Sequence, residues 1–562
     1  MPPKPRIAHL AGSNATIQNS PPLVTSGKAR EKYGLPPLTD ADGRPYRFDA
    51  LRAQRLAAPV TVYVEQFSAH PLERDAAELY GPPDGYVDAT GAFHKERRGA
   101  EDRPVYEITL RPEDGVYPLP YMARQVDGRP WEDDGTDPMA PESRARQPFY
   151  PDGSRLFEEI DRLGIGDKGI GNAIGGRVDV DFYRVVPSSG YTKGLAAKLR
   201  TDMGEGDIEP EVRGRDFFPY RPYHLGPAPP RPSLARIANT VQKVLASGAY
   251  AGAIWTQGSP RIEETVYWLN LLVDTTLPIC GNASQRPHGQ LSNDGDKNIV
   301  DSVDYILSRV WADAAGRDRA GVVLVQDQQI FAARDVQKAD ARPGGYVATG
   351  AHGGILGASG WEGPPVLTYV PATRHTHLSD VNIARLPAEV VGHLGSGDRR
   401  VAIKDTHGAL LESAIPKVTI VKDGNYTTDD YDEDPSREVD LLAQIERNLA
   451  AHPLAGFVVE GLSPYGRMTS AVRTRVMRRA AFSGMPVVLV GRGNAEGFVP
   501  APSVPFIAGR NLTSTKARLL LMACLMKLGS LPAAGDADRP TATEVDATRK
   551  VMSAYQEIFS TH

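Results

Sequence analysis

Residues 251–273 read Ala-Gly-Ala-Ile-Trp-Thr-Gln-Gly-Ser-Pro-Arg-Ile-Glu-Glu-Thr-Val-Tyr-Trp-Leu-Asn-Leu-Leu-Val. The run Ala251–Trp255 is short and apolar and is closed by small polar residues, glycine and proline, as a buried strand is. The stretch Glu263–Val273 is longer and mostly apolar, which predicts a helix. Glu263 and Glu264 open that helix, where carboxylates complement the positive end of the helix dipole. A strand, a polar loop and a helix in this order form the repeating unit of a parallel α/β sheet.

The same alternation extends in both directions. Ile7–Ala11, Val60–Glu65 and Leu277–Cys280 read as further strands, and Ser233–Ala246 and Val300–Ala315 as helices. Val322–Gln326 and Gln329–Ala332 read as a strand pair. A second α/β stretch begins at Pro416, with strand Val418–Val421, helix Glu438–Ala451, strand Gly456–Val459, helix Thr469–Ser483 and strand Pro486–Val490. Helices Thr515–Met526 and Glu544–Ile558 close it.

The region Ser68–Tyr220 interrupts this pattern with many prolines and tyrosines. Val105–Leu110 and Val116–Tyr121 around Glu113-Asp-Gly115 predict a hairpin, Ser154–Leu163 a helix and Val178–Val186 a strand. The aromatic content gives this stretch something to bury, so it reads as an embedded α+β module. Ala388–Ile415 is a smaller insertion, and no internal repeat is evident. The expected organisation is an α/β N-terminal domain over residues 1–387 with a module at about 68–220, a short insertion at 388–415, and a smaller α/β domain over 416–562.

Composition narrows the classes. The chain has 562 residues, 41% hydrophobic and 24% charged, which describes a globular protein with ample core. Gly 55 and Pro 47 exceed the usual share and lack a fixed period, which excludes collagen and points to many loops. A net charge of −5 argues against a nucleic-acid footprint. Cys280 and Cys524 cannot build a disulfide framework and suit a reducing compartment. No signal-peptide core and no run of roughly 18 apolar residues is present, so a cytoplasmic protein without membrane contact is expected.

Three polar clusters follow predicted strands: His9-Leu-Ala-Gly-Ser-Asn-Ala-Thr-Ile-Gln18, Ile254–Thr265 and Ala333-Arg-Asp-Val-Gln-Lys-Ala-Asp340. In a parallel sheet, the C-terminal strand ends share the edge where ligands bind. These clusters would bring two hydroxyls (Thr16, Ser259) and one ammonium (Lys338) to that edge.

With these residues the chain resembles the bacterial-type L-asparaginase/glutaminase amidohydrolases. Ser13-Asn-Ala-Thr-Ile17 stands where that family has Thr-Gly-Gly-Thr-Ile, and Thr256-Gln-Gly-Ser-Pro-Arg-Ile-Glu-Glu-Thr265 resembles its second signature. Gly281-Asn-Ala-Ser-Gln-Arg-Pro287, Ser292-Asn-Asp-Gly295, Ala333–Lys338 and Arg374-His-Thr-His-Leu-Ser-Asp380 are similar to later motifs in the same order. The resemblance implies a catalytic set of Thr16, Ser259 and Lys338, with Tyr33 as a lid tyrosine. It places Gln257, Gly258, Pro260 and Ala283 beside the substrate. It also implies a small-molecule amide substrate, no cofactor or metal, and a homo-oligomer, dimer or tetramer, whose sites a neighbouring subunit completes.

Two departures qualify what this resemblance implies. The family has an acid after its second catalytic threonine that holds a substrate ammonium; here Pro260 follows Ser259. The carboxylate-gripping turn is replaced by Tyr223-His-Leu-Gly-Pro-Ala-Pro229, without serine or acid. A site lacking partners for two charges binds those charges poorly. The expected activity is therefore hydrolysis of a carboxamide, imide or lactam C–N bond rather than of free asparagine. Losing the acid also makes a neutral Lys338 easier to reach, which favours a Ser259–Lys338 pair. The alternatives are a genuine L-asparaginase or glutaminase and a catalytically inactive scaffold.

Other motifs read more simply. Gly164-Ile-Gly-Asp-Lys-Gly169 follows a helical pattern, so it lacks the strand that a dinucleotide site requires. His375 and His377 lack a third metal ligand. Asp429–Asp434 reads as a solvated acidic loop.

Overall fold

The computed structural model describes residues 3–12, 52–54, 60–64, 83–87, 93–110, 117–119, 174, 176–184, 231–286, 294–340, 344–349, 353–360, 363–423, 435–462, 465–492 and 504–562. Thr16, Tyr33, the predicted helix Ser154–Leu163, the glycine motif Gly164–Gly169 and the acidic run Asp429–Asp434 lie outside the described residues. The chain forms two compact units, one drawn from Met1–Pro229, Thr256–Gly258 and Ala283–Val300, the other from Pro230–Trp255, Ser259–Asn282 and Asp301–His562.

The first unit contains strands β1 (Arg6–Ala11), β2 (Arg52–Gln54), β3 (Val60–Val64), β4 (Gly85–Val87), β5 (Phe93–His94), β6 (Arg103–Leu110), β7 (Tyr117–Leu119) and β8 (Asp179–Arg184). β8, from the stretch read as an embedded module, pairs in parallel with β1 from Arg6↔Asp179 to Ala11↔Arg184. Among the described residues, β6 and β7 do not pair with each other as the hairpin expected around Glu113-Asp-Gly115 would require. β6 instead lies antiparallel between β3 and β4, and β7 pairs with β2. An Asp-Gly turn signal acts only locally, whereas the eight residues of β6 offer two long edges that distant strands occupy.

The second unit opens with helix α1 (Ser233–Ala246), strand β9 (Gly252–Thr256, its last residue in the first unit), helix α2 (Arg261–Leu272), strand β10 (Ile279–Asn282) and helix α3 (Gly295–Ser308, begun in the first unit). Strands β11 (Val323–Gln326), β12 (Gln329–Ala332), β13 (Val336–Lys338), β14 (Tyr346–Ala348), β15 (Ile355–Ala358) and β16 (Val366–Leu367) follow. Its sheet runs β16-β15-β12-β11-β10-β9, with β10 and β11 parallel and β11 and β12 antiparallel. The two-residue turn between β11 and β12 places Asp327 (φ 51°) and Gln328 (φ 64°) in the left-handed region, the geometry that suits strand twist. Helix α3 begins at Gly295 and stops at Ser308, five residues before the expected start and seven short of the expected end at Ala315.

The second half carries the hairpin β17 (Glu389–Leu394) and β18 (Gly397–Ala402), which is the stretch read as a small insertion. An all-parallel sheet follows, in the order β19 (Lys417–Lys422), β20 (Ala455–Gly461), β21 (Val487–Gly491) and β22 (Phe506–Ala508). Helices α4 (Val439–Ala451), α5 (Ala471–Phe482), α6 (Ser514–Leu528) and α7 (Ala542–Thr561) accompany it. One hydrophobic core runs from α1 and α2 (Ala235, Tyr267, Trp268, Leu271) to α6 and α7 (Leu520, Ala523, Tyr555, Phe559). Helix α2 is buried almost all round, and from Val266 to Leu272 its sequence is apolar apart from Asn270. Trp268 Nε1 donates to the Leu234 carbonyl at 3.0 Å, fixing α2 against α1.

Gly281 in β10 lets α2 approach the sheet: a Cβ there would lie 2.4 Å from Val266 Cγ1. Gly281→Ala should lower stability by about 1–3 kcal/mol, the usual cost of overpacking a core, measured by chemical denaturation.

Candidate active site

Ser259 follows the loop that leaves the C-terminal end of β9, and Pro260 starts α2. Both β9 and α2 are buried, so the polar loop between them is held at both ends. Ser259 is half-buried and Pro260 exposed. The partner of Ser259 is a residue that the sequence did not single out: the Tyr346 hydroxyl donates to Ser259 Oγ at 2.7 Å. Tyr346 is buried, at 7% exposure.

Tyr346 reaches this position through strand register. β13 and β14 pair antiparallel, with Lys338 directly opposite Tyr346. Opposed residues of an antiparallel pair share a face of the sheet. The Lys338 ammonium therefore lies 5.1 Å from the centroid of the Tyr346 ring. The turn that joins these strands includes Gly344 (φ +86°) and Gly345, whose carbonyl accepts from Ala339 N (2.9 Å) and Asp340 N (3.2 Å). A Cβ on Gly345 would meet the Asp340 carbonyl at 2.5 Å and Lys338 Nζ at 2.9 Å. Glycine at 345 thus makes room for the ammonium.

A cation on an aromatic face is stabilised by about 0.5–2 kcal/mol. The Tyr346 ring offers Lys338 such a face. Lys338 is also held by its backbone, whose N–H donates to the Glu263 carboxylate. Glu263 is a first-turn acid of α2, as the sequence indicated, and also ties the lysine-bearing strand to that helix. Burial raises its pKa, while the Lys338 N–H and the Lys516 charge pull it down.

Lys516, on α6, lies behind this pair at 2% exposure. Its ammonium donates to the Glu263 carbonyl and, at 2.7 Å, to the Ala333 carbonyl, and it lies 5.3 Å from the Tyr267 ring centroid. Burial pushes its pKa down to about 8, against the pull of the Glu263 and Asp335 carboxylates. The sequence held a signal for it: Lys516 shares a helix face with Leu519, Leu520 and Ala523, a lysine on an apolar stripe. Arg334, in the motif before Lys338, donates to the His562 carbonyl (2.7 Å) and to Asn511 Oδ1 (2.8 Å) and pairs with Asp335 (2.7 Å). It anchors the segment and does not face Ser259 through any of these bonds.

The first unit holds the remaining candidates. Gln257 and Ala283 are buried and Gly258 is half-buried. Thr256 Oγ1 lies 2.9 Å from His9 Nε2, and the Thr256 carbonyl accepts from Gly12 N. The Ala283 carbonyl accepts from Asn298 Nδ2 at 2.9 Å. The Asp294 carboxylate receives the N–H groups of Gln285 and Arg286 and the Ser284 hydroxyl, which fixes the loop after Ala283. Among the described residues no group of three His, Cys, Asp or Glu is placed to hold a metal ion. No helix among them is long and apolar enough to cross a membrane.

Comparison with known proteins finds similarity to the same family that the motifs resemble. Residues 228–349 match the sequence model described as the N-terminal region of asparaginase. The glutaminase-asparaginase of Acinetobacter glutaminasificans is 28% identical over 302 residues, 52% of this chain and 76% of that protein. The glutaminase-asparaginase of Pseudomonas aeruginosa is 27% identical over 222 residues (38% and 55%), and the L-asparaginase of Bacillus licheniformis 35% over 108 (19% and 32%). The chain thus spans about half of the Pseudomonas protein's length and a third of the Bacillus one's. A crystal structure of a probable cytoplasmic L-asparaginase from Campylobacter jejuni aligns with a TM-score of 0.44 and 19% identity, over 68% of this chain and 86% of that one.

Lys516 binds its proton less tightly when folded, at about 8, than the ordinary 10.5 of an unfolded lysine. Folding therefore releases a proton between these values, and stability rises with pH across that window. Relative to Lys516→Met, the wild type should gain on the order of 3 kcal/mol from pH 8 to 10.5. Denaturant titrations of both proteins at several pH values measure this, and parallel pH curves would contradict it.

Proposed function

We propose that this chain, a divergent member of the asparaginase family, is an amidohydrolase that cleaves a carboxamide, imide or lactam C–N bond in a small molecule whose charge pattern differs from that of free asparagine. One observation carries the reading: a hydroxyl at a strand end, Ser259, hydrogen-bonded to a tyrosine that sits on the same hairpin face as Lys338.

Amide hydrolysis requires a hydroxyl nucleophile, a group that takes its proton and donors for the oxyanion. In the proposed cycle the hydroxyl oxygen bonds to the carbonyl carbon and its proton passes to the departing nitrogen as the C–N bond breaks. Water then cleaves the resulting ester. Family resemblance assigns the attack to Thr16 and the lid to Tyr33, with Ser259 and Lys338 as the second hydroxyl and the proton carrier. Gln257, Gly258, Pro260 and Ala283 would line the substrate.

The substrate preference rests on Pro260. A proline has no charge and no N–H to offer a substrate ammonium, and placing a cation beside it without a partner is costly. A bulkier or less charged amide avoids that cost. Relatives named glutaminase-asparaginase and L-asparaginase supply a second reading, hydrolysis of asparagine or glutamine themselves. Resemblance further implies a dimer or tetramer, which light scattering would test.

Ammonia release measured across L-asparagine, L-glutamine and uncharged primary amides separates the two readings; cyclic imides and lactams, whose ring opening keeps the nitrogen, are followed by the appearance of the half-amide or the ring-opened amino acid. The proposal expects turnover of an uncharged or cyclic member to exceed that of L-asparagine by at least about tenfold, and the reverse order would favour the second reading. Thr16→Ala and Lys338→Met should each lower turnover of the best substrate by at least about 100-fold. Full activity in both would overturn the site.

A further inference from the structure

The hydroxyl pair of Ser259 and Tyr346 has no counterpart among the residues that the motifs supplied. We propose that Tyr346 is a positioning residue that polarises Ser259: its phenol proton is held against Ser259 Oγ so that Oγ can release its own proton and carry the resulting negative charge. This inference rests on the reading of Ser259 as the second hydroxyl of the proposed site, and goes beyond it by naming a group that makes that hydroxyl reactive in its own right.

The geometry supplies each part. The bond runs from Tyr346 to Ser259 Oγ at 2.7 Å, so Ser259 is the acceptor. With one lone pair occupied by that proton, the hydroxyl hydrogen of Ser259 must point elsewhere, away from Tyr346. A hydroxyl is a rotor with one donor and two acceptor positions, and this contact removes one of its choices. When the hydrogen leaves, the charge arriving on Oγ finds a donor already in place at a buried residue. Such pre-set donors cost no reorganisation during reaction, which is the physical basis of oxyanion stabilisation.

The surroundings act in the same direction. The Lys338 ammonium, 5.1 Å from the ring centroid, places positive charge beside the phenol and strengthens it as a donor. The phenol cannot easily turn away, because Tyr346 is buried and paired in register with Lys338 across β13 and β14. Among the described residues, charged groups beside this hairpin include Asp340 on its turn, Asp335 before it, Glu263 of α2 beneath the Lys338 N–H, and Lys516 behind Glu263. Among the described residues, the hydrogen bond that can support charge on Ser259 Oγ comes from the phenol.

The step assigned to Tyr346 is conservative in atoms: it keeps its own proton throughout. Ser259 Oγ forms the new bond to an electrophile, the electrophile's leaving group departs with its bonding pair, and the Oγ proton passes to that group or to water. Any hydroxyl-reactive electrophile therefore reports on the arrangement without knowledge of the natural substrate.

Phenylmethanesulfonyl fluoride is such a probe, since attack by a serine oxygen forms an S–O bond and expels fluoride. The full-length wild type, Tyr346→Phe, Ser259→Ala and the double variant are treated with it from pH 6 to 10, and the adduct is located by peptide mass spectrometry. The expected result is labelling at Ser259 in the wild type. In Tyr346→Phe the rate should fall by about 10- to 100-fold and the pH of half-maximal rate should rise by about one unit. Retention of the circular dichroism spectrum and melting temperature excludes unfolding, and Tyr346→His, which keeps a ring donor, should recover part of the rate. Equal labelling rates and pH profiles in wild type and Tyr346→Phe overturn the inference, as does absence of Ser259 labelling in the wild type. A wild type that labels as expected yet hydrolyses no amide, imide or lactam would sustain the role of Tyr346 and reject the amidohydrolase reading.

Discussion

Two carbonyl oxygens from distant parts of the chain, those of Glu263 and Ala333, converge on one buried ammonium, Lys516. Glu263 lies in the first turn of the helix that follows Ser259, and Ala333 begins the segment that carries Lys338. The ammonium could not be buried without acceptors, and these two carbonyls supply them. Their meeting sets the distance between the serine loop and the lysine strand, and burial holds the lysine well below its ordinary pKa.

The remainder of the proposed site is built on that tie. The Glu263 carboxylate, on the same residue as one of the tied carbonyls, receives the Lys338 N–H. Lys338 is thereby fixed by its backbone, which leaves its side chain to lie against Tyr346. Tyr346 in turn reaches Ser259. The order of events is structural first and chemical last: helix, strand, register, side chain, hydroxyl. The Tyr346 ring gives the Lys338 side chain an aromatic face, which carries no formal negative charge.

Much of the framework was legible from local pattern. Helix α1 has the limits that periodicity assigned to it, and strands β9 to β12 and β19 to β21 agree within a residue or two. Short apolar runs closed by glycine, proline or small polar residues are local signals, and buried parallel strands produce them in almost any context. Pairing was less legible. The strands on either side of Glu113-Asp-Gly115 exist, yet each pairs elsewhere, because hydrogen-bonding edges are filled by whichever strands reach them and not by sequence neighbours alone. The hairpin of β13 and β14 escaped notice for the converse reason. Three-residue strands around a glycine turn are too short to show a period.

The sequence by itself determined the α/β class, the resemblance to one family, and which polar clusters follow strand ends, since each of these depends on residue types at fixed spacing along the chain. It also carried Ser259, Lys338 and the proline that separates them from the family's acid. Only the tertiary structure decided what touches those groups. Tyr346 lies 87 residues from Ser259, and Lys516 lies 253 residues from Glu263. Contacts at such separations depend on sheet register and helix packing, which sum over many residues, so no local motif records them. The charge and reactivity of a side chain follow from those contacts, and for that reason the chemistry of Ser259 and Lys338 became readable only once the chain was folded.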